Sequence, residues 1–122
     1  MVKALFDTNI LIDYLNGIEP AKQEFALYED KAISVITWME VLIGTTDETD
    51  QPTRDWLQSV FTLIPLDEAI SNSAVAVRKK ENIKLPDAII YATAQVTTRL
   101  LVTRNTRDFS PDNPLIRVPY TL

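Results

Sequence analysis

Short apolar runs alternate along this chain with segments whose apolar residues recur every three or four positions, and this alternation limits the fold more than any other feature. The runs predict buried strands, and the periodic segments predict helices with one apolar face. The predicted strands are 2–6, 32–36, 62–66, 100–103 and a short one at 116–118. The predicted helices are 10–18, 20–30, 37–44, 52–60, 67–82 and 86–98. Strands that alternate with helices indicate an α/β domain with a mostly parallel central sheet flanked by helices.

Length and composition favour a single domain spanning residues 1–122. The 122 residues, of which 46% are hydrophobic, suit a chain that buries one core. No apolar run approaches the ~20 residues that a membrane-spanning helix needs, and the N-terminus lacks the pattern of a signal peptide. We therefore expect a cytoplasmic protein with no membrane partner.

Histidine and cysteine are both absent from the chain. Their absence excludes thiolate zinc sites, disulfides and thiol nucleophiles, and it removes the commonest general base. A hydrolase of this composition has carboxylate-bound metal as its main remaining route to an activated nucleophile. The two glycines, Gly17 and Gly44, do not lie in a phosphate-binding loop pattern, which argues against a nucleotide-binding loop.

The charges are unevenly distributed along the chain. Residues 1–70 carry 4 Lys/Arg and 13 Asp/Glu, a net of −9, and residues 71–122 carry 8 and 4, a net of +4. A basic C-terminal half can attract phosphate locally in an acidic protein, because the field depends on how the charges are arranged. Ordinary surface solvation would explain the same basic residues. The candidates for phosphate contacts are Arg78, Lys79, Lys80, Lys84, Arg99, Arg104 and Arg107.

Acidic and amide side chains follow the predicted strands. Asp7 ends the first strand, Glu40 lies shortly after the second, and Asn105 and Asp108 follow the strand at 100–103. Asp87 stands at the start of a predicted helix and could point to the same place. Open α/β sheets bind ligands at the carboxyl ends of their strands, so these side chains are the candidates for a site.

Each acid also has a purely structural interpretation. Asp7 could cap the following helix, Thr37 and Glu40 match a capping box, and Asp87 could complement a helix dipole. Taken together, carboxylates gathered at one edge repel one another and require either proton sharing or a divalent cation. Mg²⁺ or Mn²⁺ suits such an oxygen-only site. Asp13, six residues beyond Asp7 on a helix, is predicted to face solvent.

Four motifs carry a resemblance to a known family. They are LFDTNILID at 5–13, TWMEV at 37–41, LPDAIIYATA at 85–94 and LVTRNTRDF at 101–109. In this order and spacing they resemble the PIN domain, and more narrowly the VapC toxins of type II toxin–antitoxin systems. The resemblance implies a single PIN-like domain and a Mg²⁺-dependent ribonuclease that cuts single-stranded or looped RNA. It also implies a cognate VapB-type antitoxin that holds the enzyme inactive, and a homodimer.

The resemblance also implies roles for individual residues. Asp7, Glu40 and Asp87 match the family's first three acids, with Asp7 and Asp87 as direct metal ligands. Many PIN domains have an acid where this chain has Asn105, so either Asn105 or Asp108 could complete the site. We favour Asp108, because a charged acid offsets a divalent cation better than an amide does. Among the basic residues, Arg104 and Arg107 are the foremost candidates for RNA contacts, because they flank the acidic edge.

Two other functions are compatible with an acidic α/β domain of this length. A receiver-like phosphoacceptor domain requires paired acids after the first strand and a lysine after the last, whereas Asp7 stands alone and the residue directly before Val118 and Pro119 is not a lysine. A catalytically inactive PIN fold that only binds RNA or protein is the other alternative. Which RNA is cut depends on the geometry of loops and basic side chains, which the sequence does not give.

Overall fold

A computed structural model describes residues 2–122 and contains one five-stranded sheet in which every neighbouring pair of strands is parallel. The strands are β1 (Lys3–Phe6), β2 (Asp30–Ser34), β3 (Thr62–Ile64), β4 (Leu100–Val102) and β5 (Ile116–Arg117). The helices are α1 (Thr8–Leu15), α2 (Glu19–Phe25), α3 (Val35–Ile43), α4 (Asp50–Val60), α5 (Glu68–Glu81) and α6 (Leu85–Thr97). The predicted α/β class, with its parallel central sheet, is confirmed.

The order of the strands, β3-β2-β1-β4-β5, places β1 in the middle of the sheet. The chain builds outward from β1 through β2 to β3 and then crosses to the other side of β1 to form β4. This reversal puts a topological switch point between the carboxyl ends of β1 and β4, where open α/β sheets form their ligand crevice. Receiver domains have the flavodoxin-like strand order 2-1-3-4-5, which differs from the order of this sheet. The receiver-like alternative is therefore wrong.

Alternation along β1 divides the core between the two faces of the sheet. Ala4 and Phe6 pack on the side of α1, α2 and α4, whereas Leu5 packs on the side of α6. Phe6 lies at the centre of an aromatic cluster and has ring centroids of Phe25 and Phe61 4.7 and 6.0 Å away. With both faces covered, the strands read in the sequence as continuous apolar runs.

Local sequence signals explain where the long helices begin and end. Asp67 caps α5 by accepting a hydrogen bond from the Ile70 backbone N–H at 2.8 Å. Asn82 ends the same helix with a φ of 52°, a left-handed conformation that asparagine tolerates better than most residues. Pro86 stands in the first turn of α6, where a missing N–H costs nothing.

The predicted start of the third helix is wrong. The helix α3 begins at Val35, and Ser34 caps it by accepting from the Ile36 backbone N–H at 3.1 Å. Thr37 therefore lies inside the first turn, and the capping box with Glu40 does not form. A serine that ends a buried strand can cap a helix directly, which the apolar run through residue 36 concealed. Within residues 2–122, no helix is long and apolar enough to cross a membrane.

Candidate active site

Asp7 lies at the switch point and has hydrogen-bond partners on both carboxylate oxygens. Its Oδ1 accepts from the Thr8 backbone N–H at 2.7 Å, so Asp7 caps α1 as the structural interpretation predicted. Its Oδ2 accepts from the Thr103 hydroxyl at 2.7 Å and from the Asn9 side-chain amide at 3.2 Å. Asp7 is only 4% exposed. The cap and the hydroxyl of Thr103 thus fix one carboxylate between β1 and β4.

Glu40 reaches the same place from α3. Its Oε1 accepts from the Thr8 hydroxyl at 2.7 Å, and that hydroxyl also lies 3.0 Å from Thr37 Oγ1. Thr8 is the first residue of α1, and Thr37 is fully buried on α3. The two threonines therefore join the helices and direct the otherwise exposed Glu40 carboxylate toward Asp7.

Asp87 approaches from the first turn of α6. Its pKa is raised above the ordinary value by burial first, and then by the negative charges of Asp108 and Glu40. Lys84 and Arg107 act in the opposite direction. The helix start predicted from Pro86 thus presents an acid to the same edge of the sheet.

One cleft of about 390 Å³ brings these groups together. It is lined by Asp7, Thr8, Asn9, Ile12, Asp13, Glu40, Asp87, Arg104 and Asn105. Three of the predicted acids and the predicted amide therefore share one cleft, to which the residue after β1, the helices α1, α3 and α6, and the loop after β4 contribute.

Electrostatics in this cleft disfavour negative charge on Asp7. Burial first, and then the charges of Asp87 and Glu40, raise the pKa of Asp7 to about 6 from an ordinary 3.8. The hydrogen bonds from Thr103 and from the Thr8 backbone limit the rise. A positive charge placed among these carboxylates would reverse the shift, because it favours the ionised forms.

Asn105 and Asp108 are bonded to each other. The Asn105 amide donates to Asp108 Oδ2 at 3.0 Å, and the Asp108 backbone N–H donates to Asn105 Oδ1 at 3.2 Å. Asn105 lines the acidic cleft, whereas Asp108 lines a second cavity, of about 160 Å³, with Tyr91 and Phe109. Asp108 nevertheless exerts the largest charge effect on the pKa of Asp87. Which of the two completes the site stays a prediction.

Comparison with known proteins places this arrangement in a family. The family model described as PIN domain matches residues 4–110, which include every residue of the cleft. The chain belongs to the PIN domain family. The family resemblance seen in the sequence motifs is thereby confirmed.

Individual relatives of this PIN domain come from bacteria and archaea. A chain of a toxin–antitoxin complex from Klebsiella pneumoniae is 46% identical, with a TM-score of 0.92 over 98% of this chain and 100% of that one. Ribonuclease VapC1 of Methanocaldococcus jannaschii is 28% identical over 112 residues, 88% of this chain and 79% of that protein. A chain of DNA-bound VapBC from Salmonella typhimurium is 24% identical, with a TM-score of 0.78 over 96% of each chain, and supports the fold.

Two residues of the cleft in this PIN domain were not predicted from the sequence. Asn9 donates to Asp7 and accepts from the Arg104 backbone N–H at 3.1 Å, so it ties α1 to the loop after β4. Asp13 does not face solvent as predicted, because it is 6% exposed and lines the cleft. The signal for Asp13 was its spacing of four residues from Asn9, which puts both on the same face of α1.

The basic candidates differ in their surroundings. Arg104 lines the cleft and forms an ion pair with Asp13. Arg107 is exposed and lowers the pKa of Asp87 through its charge. Arg99 is a wrong candidate for a phosphate contact, because it is buried and donates to Asp30 and to the Ala4 carbonyl at the opposite end of the strands.

The donor set of the cleft fits a hard cation held by few protein ligands. Among residues 2–122, no three acidic side chains lie close enough to hold a metal ion by themselves. Mg²⁺ characteristically binds through one or two carboxylates and keeps several waters. Asp7 and Asp87 provide two such carboxylates, and their raised pKa values mark a place where added positive charge is favourable. The site thus suits a Mg²⁺ ion that keeps several waters better than one whose ligands all come from the protein.

Proposed function

We propose that this protein is a Mg²⁺-dependent ribonuclease that hydrolyses RNA phosphodiester bonds and serves as the toxin of a VapBC-type toxin–antitoxin pair. The observation that carries the proposal is the shared cleft of Asp7, Glu40 and Asp87 at the switch point of a PIN fold. A buried carboxylate with a pKa of about 6 beside two other acids is costly for stability alone. A function that requires a cation at this place explains why the acids are gathered.

Some residues of the cleft would bind the cation, and others orient the carboxylates. Asp7 and Asp87 would hold Mg²⁺, or Mn²⁺ in its place, and the bound cation supplies positive charge that activates water and offsets charge on a phosphodiester. Thr103 and Asn9 fix the orientation of Asp7 through Oδ2. Thr8 holds the exposed Glu40 carboxylate, which can accept a proton or a hydrogen bond from water in the cleft.

The name of the ribonuclease relative supports RNA as the substrate, and the Klebsiella pneumoniae complex supports an antitoxin partner. Expression of this chain alone should therefore arrest growth, and co-expression of a VapB-type antitoxin from a neighbouring gene should restore it. Normal growth with soluble, nuclease-active protein would contradict the toxin role.

A homodimer is the third part of the proposal. Leu66, Val75 and Leu85 are 45 to 52% exposed and surround an apolar cavity of about 190 Å³ beside α5 and α6. Such a patch suits a two-fold contact with a second copy of the chain. Light scattering should give a dimer for the protein and a monomer for Val75→Glu. The exposed Leu27, changed to Glu, serves as the control and should leave the dimer intact. A monomeric parent protein would contradict the dimer.

The enzymatic claim is tested with protein freed of any antitoxin. We expect cleavage of RNA in Mg²⁺ or Mn²⁺ and none in excess EDTA, because the cleft offers only oxygen ligands and the chain has no histidine. Cleavage that persists in EDTA would contradict the metal dependence. RNA binding without cleavage in any metal would favour the inactive PIN fold instead.

A further inference from the structure

The buried carboxylate of Asp13 is held by two side chains that are distant in the sequence. Arg104 donates its Nε and Nη2 to the two Asp13 oxygens at 2.5 and 2.9 Å. Tyr120, near the C-terminus, donates its hydroxyl to Asp13 Oδ2 at 2.8 Å. The side chain of Asp13 is 8% exposed and that of Arg104 is 27% exposed, so the carboxylate lies inside and the guanidinium at the surface.

Both the backbone and the side chain of Arg104 are held by hydrogen bonds. Its backbone N–H donates to Asn9 Oδ1, and its guanidinium is bound through two nitrogens to Asp13, so both anchors lie on α1. Arg104 lines the cleft together with Asp7 and Asp87. Its direction is therefore set before any ligand arrives, which reduces the entropy lost on binding.

The ion pair leaves part of the guanidinium available. Nε and Nη2 are directed at Asp13, and Nη1 makes no hydrogen bond to any of residues 2–122. A planar guanidinium matches the oxygens of a phosphate, so Nη1 of this cleft-lining residue can donate to a phosphate oxygen. Because the pair with Asp13 has no net charge, Arg104 offers a directed donor rather than a free positive charge.

We propose that Asp13 is a positioning residue that orients Arg104, and that Arg104 thereby donates a hydrogen bond to a backbone phosphate of RNA in the cleft. The inference rests on the proposed ribonuclease function and deepens it by assigning a phosphate subsite. Arg107 has a different part, because it is exposed and forms no ion pair within residues 2–122. Arg107 supplies a positive charge that attracts RNA, and Arg104 supplies a hydrogen-bond donor of fixed orientation.

The chain contains a matched control for this arrangement. Glu24 on α2 is 4% exposed and accepts from Arg117 Nε and Nη2 at 2.6 and 2.9 Å, and from the Tyr28 hydroxyl at 2.9 Å. Both groups consist of a buried acid, an arginine bound through two nitrogens, and a tyrosine. Only the first lines the acidic cleft. Equivalent substitutions in the two groups therefore separate a structural role from a role in RNA binding.

Neutralising Asp13 distinguishes orientation from charge by the sign of the effect. Asp13→Asn removes one negative charge from the cleft and with it the carboxylate that fixes Arg104. If Arg104 acts through charge, RNA binding becomes tighter in this variant. If it acts as an oriented donor, RNA binding becomes weaker despite the more favourable charge.

The experiment measures binding of a fluorescein-labelled single-stranded RNA of mixed sequence by anisotropy, in an Asp87→Asn background that does not cut it. We expect Asp13→Asn and Arg104→Lys to weaken binding roughly tenfold, because a charge-assisted hydrogen bond is lost in each. Glu24→Gln and Arg117→Lys should leave binding unchanged. In the Asp87-containing protein, the first two variants should raise KM and leave kcat near the parent value.

The salt dependence provides a second readout. Arg107→Ala should reduce the slope of log Kd against log salt by about one unit, because the variant loses one contact between a free positive charge and a phosphate. Arg104→Lys should leave the slope unchanged. If Asp13→Asn fails to fold, Arg104→Lys decides the question, because it retains the buried carboxylate.

Three results would overturn the inference. The first is RNA binding by Asp13→Asn or Arg104→Lys that equals or exceeds the parent, and the second is an equal loss in the Glu24 and Arg117 controls. The third is a fall in kcat with no change in KM, which would move Arg104 from binding to chemistry. A parent protein that neither binds nor cuts RNA would contradict the proposed function itself, so the two failures are distinguishable.

Discussion

The hydroxyl of Thr103, at the end of β4, donates to Asp7 Oδ2 at 2.7 Å, although 96 positions separate the two residues in the sequence. This bond joins the two strands that flank the switch point. It also holds down the pKa of Asp7, which burial raises to about 6.

Removing this hydroxyl should make Asp7 harder to ionise. Thr103→Val should raise the pKa of Asp7 further and move the acid limb of the pH–rate profile to higher pH at limiting Mg²⁺. Thr93→Val is a matched control, because Thr93 is also buried and donates to the Ile89 carbonyl within α6. Both variants should lose stability of about 1 kcal/mol from a buried hydrogen bond. An unshifted acid limb in Thr103→Val would contradict the role of this bond.

The burial of Asp7 predicts an unusual dependence of stability on pH in metal-free protein. Its pKa is about 6 when folded and 3.8 ordinarily, so between these values the folded state retains a proton that the unfolded state has released. The free energy of unfolding should therefore fall as pH rises from about 4 to about 6. Asp7 alone accounts for on the order of 3 kcal/mol of this loss.

Thermal denaturation in EDTA across this pH range tests that prediction. Asp7→Asn should remove much of the pH dependence and be at least as stable as the parent at pH 7, because it carries no repelled charge. Mg²⁺ should raise Tm of the parent at pH 7 and not at pH 4. A large destabilisation by Asp7→Asn at pH 7 would indicate that capping of α1 outweighs repulsion.

Much of the fold could be predicted because its signals are local. A parallel sheet covered on both faces requires continuous apolar strands, and residues 2–6 and 100–103 have that pattern and form β1 and β4. Helix starts are less reliable where a strand residue also acts as a cap. Ser34 does so, and the predicted start at Thr37 is two residues late as a result.

The site could be predicted in part for a related reason. Asp7 and Asn105 follow strands whose carboxyl ends meet at the switch point, so a sequence pattern locates them. The burial of Asp13 depends instead on Arg104 and on Tyr120, which lies 107 positions away. No local periodicity reports such a partner, and a charged residue on a helix is ordinarily exposed.

The choice between Asn105 and Asp108 yields a separate prediction. If Asp108 completes the metal site through a bound water, Asp108→Asn should lower activity more at limiting than at saturating Mg²⁺, and Asn105→Ala should have a smaller effect. If Asn105 occupies the working position, the ranking reverses and Asn105→Asp should tighten metal binding. Outer-shell losses cost ~10 to 100-fold in affinity or activity, so a magnesium titration of the cleavage rate separates the two.

The mutual hydrogen bonds of these two residues add a condition to that titration. Because Asn105 and Asp108 bond to each other, the fold-loss of activity in the double variant should be smaller than the product of the fold-losses in the two single variants. Small and equal effects from both single variants would mean that Asp7, Glu40 and Asp87 suffice.

The most direct measurement is the RNA cleavage rate of purified Asp87→Asn protein beside the parent and Glu48→Gln, each in saturating Mg²⁺ and in excess EDTA. Glu48 is an exposed acid in the loop before α4 and serves as the charge-matched control. We expect the parent and Glu48→Gln to cleave RNA at equal rates in Mg²⁺ and not in EDTA. Asp87→Asn should be inactive in both, with a Tm equal to or above that of the parent. Cleavage by Asp87→Asn at the parent rate, or by the parent in EDTA, would contradict a metal-dependent carboxylate site.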